Sequence, residues 1–71
     1  MKKTIELEDH EWGQILDGLI CRAELYENTV SYYEGDAPVE AVAEVSGVEE
    51  ARALAEMYRS LIGTMHRQLK H

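Results

Sequence analysis

Apolar positions recur at helical spacing over two long stretches of this chain, and a turn-rich segment separates them. From Trp12 onward, Trp12, Ile15, Leu16, Leu19, Ile20, Ala23, Tyr26, Val30 and Tyr33 gather on one face when the residues are placed about 100° apart. Val48, Ala51, Leu54, Ala55, Tyr58, Leu61, Ile62, Met65 and Leu69 do the same in the second stretch. The first stretch carries a second apolar group on its far side, made of Cys21, Leu25 and Tyr32 with Gly18 beside them. A helix hairpin covers only the first face of its first helix. The second group therefore predicts a partner, most simply another copy of the chain.

Punctuation between these stretches sets the expected boundaries. Thr4-Ile5-Glu6-Leu7 alternates and suits a short strand or an extended arm over residues 1–8. Because a lone strand cannot satisfy its own backbone groups, that segment would pair with a symmetry mate or lie on the helices. Asp9 is expected to cap a first helix over 9–34, with Leu7 and Trp12 as a hydrophobic staple across its start. Gly35 is placed to take the left-handed conformation that ends a helix, and Pro38 suits the first position of a following one. Residues 35–46 then form a connection, with a short helix or irregular turn over Val39–Val45. Ser46-Gly47-Val48-Glu49 reads as a capping box, Ser46 the cap and Glu49 its answer, opening a second helix over 47–70. The predicted fold is all-α: one domain, an antiparallel helical hairpin with a short N-terminal strand or arm.

Size sharpens the expectation of a partner. A chain of 71 residues buries only about 60% of its unfolded surface, and domains this small usually need a disulfide, a metal or self-association. Cys21 is the only cysteine, which excludes an internal disulfide, and Cys/His metal spacing is absent. Self-association is left, as a dimer or a higher symmetric oligomer through Gly18, Cys21, Leu25 and Tyr32. Asn28, one turn before Tyr32, joins it as a candidate partner contact.

Fourteen acids against seven Lys and Arg give a net charge of −7, so nonspecific nucleic-acid binding is not expected. Acidity instead suits solubility, a basic partner, or imitation of a nucleic acid's charge. The charges are also segregated. Asp17, Glu24, Glu27 and Glu34 fall on one flank of the first helix, while Arg52, Arg59, His66 and Lys70 fall on one side of the second. The plain expectation is ion pairing across the hairpin or the oligomer. The alternative is a strip that binds a small anionic ligand such as a nucleotide.

Chemistry is otherwise sparse. His10, His66 and His71 lie in no metal-type cluster, Cys21 has no neighbouring base, and no Glu-x-x-His unit, phosphate loop or nucleophile elbow occurs. No enzyme activity, cofactor or metal is expected. Neither is a membrane span, because no apolar run approaches about 20 residues. Glu6, Glu8, Asp9 and Glu11 follow Met1-Lys2-Lys3 at once, leaving no apolar export segment, and the cytoplasm is the expected compartment.

Met1-Lys2-Lys3-Thr4-Ile5-Glu6-Leu7, followed by Glu11-Trp12 and Ile15-Leu16, resembles a type of short protein common in phages and prophages. The resemblance extends to about Ile20, with Glu8 and Asp9 where such chains usually place Ser or Thr. It implies a strand, a capped turn and a helical hairpin. It also implies an accessory role, in which a host protein, including a defence protein, is blocked or redirected in the host cytoplasm. It carries over no functional residue. Two further readings stand beside it: an oligomer that sequesters a small anionic or nucleotide ligand, and a structural or assembly subunit.

Overall fold

The computed structural model describes residues 2–35 and 41–69. Among the described residues two helices make up the fold, α1 over Asp9–Tyr33 and α2 over Val48–Leu69, packed against each other as an antiparallel hairpin. No strand forms among the described residues. Residues 2–8 run without regular structure, so the N-terminal segment is an arm and the strand expected there is not seen. Pro38 and Lys70 lie outside the described residues. Of the expected short helix over Val39–Val45, the described part (41–45) is irregular.

Both helix starts follow from local chemistry: α1 begins at Asp9 as expected but is capped one residue earlier, and α2 begins one residue later than expected. Glu8, not Asp9, is the N-cap of α1, with extended backbone (φ −72°, ψ 158°). Its N–H donates to the Glu11 carboxylate at 2.9 Å. Only from Glu8 does the third helical position fall on an acid that can fold back. From Asp9 it would fall on Trp12. The shift also brings Leu7 and Trp12 to the two staple positions, and both are half-buried. In the same way Glu50, not Glu49, answers Ser46, accepting from its N–H at 3.4 Å and its hydroxyl at 3.1 Å. The reason is that α2 starts at Val48, with the Gly47 carbonyl accepting from the Ala51 N–H at 3.2 Å.

At its far end α1 closes as expected. Gly35 adopts φ +78°, a region that costs an L side chain about 1–2 kcal/mol, and its N–H reaches the Tyr32 carbonyl at 3.2 Å.

The seam between the helices is narrow. Ala23, Tyr26 and Thr29 of α1 and Ala51, Ala55 and Ile62 of α2 are buried. Three of these are alanines, so the backbones come close and each covers only a thin stripe of the other. Ile15 and Tyr33, about 80° around α1 from Ala23, were expected inside but remain 44% and 47% exposed, as does Leu61 on α2 at 44%. Thr29 ties in the connection. Its hydroxyl donates to the Leu25 carbonyl and accepts the Ala43 N–H, both at 2.8 Å.

Candidate functional site

The two flanks of the hairpin differ in chemistry, and the observed pairs show which sides of the helices meet. Glu27 and Glu34, seven residues apart, share one side of α1. Arg59 and Arg52 share the facing side of α2. Arg59 grips Glu27 as a fork, Nε to Oε2 at 2.7 Å and Nη2 to Oε1 at 2.8 Å. Arg52 Nη2 donates to Glu34 Oε2 at 2.9 Å. The Arg59 hydrogen bond is the largest influence on Glu27 and holds its carboxyl below the usual range, partial burial opposing and the guanidinium charge adding to it. The pairing expected across the hairpin is therefore present.

A shallow groove of about 250 Å³ lies between the two ion pairs, lined by Glu27, Val30, Arg52, Ala55, Glu56 and Arg59. Of the expected anion strip, Arg52 and Arg59 sit here and His66 is exposed further along α2. An anionic ligand would have to displace Glu27 or Glu34 and sit near Glu56.

The opposite flank is apolar. Tyr26 and Tyr58 stack with ring centroids 5.7 Å apart and planes 12° from parallel. Arg22 covers the Tyr26 ring at 5.3 Å and donates to the Tyr26 hydroxyl at 3.1 Å. Its guanidinium is further stabilised in the charged form, first by the Tyr58 hydroxyl. Ile15 and Leu19 continue this side on α1, and Leu54, Leu61 and Met65 continue it on α2.

The third surface is the outward side of α1. Gly18 and Cys21 are exposed there, Leu25 and Asn28 are half-exposed, and Tyr32 is 59% exposed with its ring edge-on to Tyr33 at 5.5 Å. A Cβ built on Gly18 meets nothing within 4 Å, so within one chain no helix approaches it.

No protein-family model matches this chain, and no curated protein or solved structure matches it significantly. Among the described residues no group of three or more His, Cys, Asp or Glu is placed to hold a metal ion, and no helix is long and apolar enough to cross a membrane.

Sequence reasoning found the charged flanks, the outward patch and both tyrosines. It missed Thr29, because a threonine inside a helix gives no periodic signal that a returning loop will bury it. It missed the place of Arg22 for a related reason: a charged residue on an apolar stripe reads as noise until the two tyrosines beneath it are seen to stack.

Proposed function

We propose that this chain is a non-enzymatic, self-associating acidic protein that binds a basic protein partner. In this reading it acts as a phage-type accessory factor in the host cytoplasm, inhibiting or redirecting a host protein such as a defence component. The observation that carries the reading is the disposition of charge. Arg52 and Arg59 are both spent on pairs within the hairpin, while Asp17, Glu24, Glu49 and Glu56 form no ion pair among the described residues. In a chain of net charge −7, these described carboxylates reach the surface without an ion-pair partner among the described residues, which suits a cationic protein surface of the kind found on nucleic-acid-handling proteins.

The test is affinity capture from host lysate at low and at physiological salt, with purified candidate partners then titrated directly. The expected result is a basic partner whose affinity falls steeply with ionic strength. A partner bound independently of salt, or none at low salt, overturns the reading.

A second reading places a nucleotide-like anion in the groove between the ion pairs, where it would reach the Arg52 and Arg59 guanidiniums only by displacing Glu34 or Glu27. It predicts a rise in melting temperature across a nucleotide panel. Flat melting curves remove it.

A further inference from the structure

The hairpin has more surface than a self-sufficient domain of its mass. Its accessible surface is 5741 Å², against roughly 4500 Å² expected for a folded monomer of 8.1 kDa. Its radius of gyration is 14.2 Å, against about 11 Å for a compact chain of this length. The exposed arm accounts for part of the excess. The remainder matches the thin seam, since among the described residues only five apolar ones are buried.

Part of that surface lies on the apolar flank, where Ile15 and Leu61 are each 44% exposed. On α1 it runs through Ile15, Leu19, Arg22 and Tyr26, and on α2 through Leu54, Tyr58, Leu61 and Met65. Both sets step by four, three and four residues. This is the alternation of a heptad seam, by which one helix packs along another at a shallow angle. The Tyr26–Tyr58 stack joins the two seams into one face. No carboxylate interrupts either set, and the only charge on them is the Arg22 guanidinium. The acids of the central turns, Asp17, Glu24, Glu27 and Glu56, lie on the other sides of the helices. A second copy bearing the same net charge can therefore approach the centre of this face without setting carboxylate against carboxylate, and it meets a tyrosine- and arginine-bearing apolar centre typical of interfaces.

We infer that a second copy of this chain docks on the Ile15–Leu61 face, closing two hairpins into an antiparallel four-helix bundle. The inference rests on the self-association in the proposed function and assigns it a surface. The outward side of α1 at Cys21, about 120° around the helix from Ile15, stays open in such a bundle. So does the acidic flank that would meet a different partner.

The experiment is sedimentation equilibrium of the full chain and of two single variants, Leu61→Glu and Ile15→Glu, with alkylation of Cys21 followed in each. Both positions are 44% exposed within one chain, so the hairpin tolerates the charge, and helicity by circular dichroism checks this. The wild type is expected to dimerise, and each variant to weaken dimerisation by at least about 100-fold, because the carboxylate is buried unpaired at the interface. Cys21 is expected to alkylate at the same rate in dimer and monomer. A dimer that survives both substitutions, or a Cys21 protected on dimerisation, overturns the assignment and returns the interface to the Gly18–Cys21–Leu25–Tyr32 side. A wild type that stays monomeric overturns self-association itself, and the proposed function with it.

Discussion

Replacing Thr29 by valine tests how the connection is held to the hairpin. Thr29 is fully buried, and its hydroxyl links the Leu25 carbonyl to the Ala43 N–H, fourteen residues further along. Valine keeps the shape and removes both bonds. The Leu25 carbonyl loses little, because a helical carbonyl still receives the N–H four residues on. The Ala43 N–H loses its partner. If the connection stays in place, an unsatisfied buried donor costs about 1–3 kcal/mol. If the connection lifts, water satisfies the donor but the packing over Thr29 is lost. Ala43 is only half-buried, which places the cost in the lower part of that range. About 1–2 kcal/mol corresponds to a fall in melting temperature of roughly 5–15 °C for a chain of this size, read at fixed protein concentration because self-association also shifts the transition. Hydrogen exchange locates the effect: the Ala43 amide should exchange at least about tenfold faster in Thr29→Val, while the central amides of both helices slow or quicken only with global stability. Thr29→Ser loses a methyl but keeps the hydroxyl, so it should lower the melting temperature yet leave Ala43 protected. Thr29→Val with wild-type exchange at Ala43 would refute the argument.

Three further outcomes follow from the same geometry. Glu27 has a depressed pKa in the folded state, so its stabilisation is complete above the unfolded value of about 4.3 and is lost as pH falls through the folded value. Urea unfolding should therefore show Glu27→Gln destabilised relative to wild type at neutral pH, with the gap closing as pH falls below the unfolded value, and a gap independent of pH contradicts the pairing. Gly18→Ala should raise stability by up to about 1 kcal/mol in thermal unfolding without changing the mass in solution, since nothing lies within 4 Å of the added carbon. A variant that falls apart or dissociates would place a helix against Gly18. Ala51→Leu should cost about 1–3 kcal/mol in urea titration, because the site is fully buried in the seam, and a neutral substitution would mean the seam is loosely packed there.

The hairpin was legible because its ends are written in local chemistry. Gly35 needs a left-handed backbone, and Ser46 and Glu8 each have an acid within reach of their N–H. The one-residue errors at both starts arose because Asp9 and Glu49 are themselves good capping residues, and only the position of the returning carboxylate decides between neighbours. Flank chemistry was legible too, since Glu27, Glu34, Arg52 and Arg59 repeat every seven residues. What the pattern does not encode is how wide a stripe each helix covers. Periodicity groups Ile15, Tyr33 and Leu61 with the core, but Ala23, Ala51 and Ala55 draw the helices together along a thinner line and leave the larger side chains outside. The apolar surface of the molecule consequently extends beyond the Cys21 side to Ile15 and Leu61 on the Tyr26–Tyr58 flank.

Native mass spectrometry of the freshly purified chain at low salt tests the account most directly. A dimer of about 16 kDa, twice the 8.1 kDa protomer, without added small-molecule mass is the predicted result. A lone protomer at micromolar concentration would contradict it, because the surface left open by so thin a seam would then be covered by no second copy.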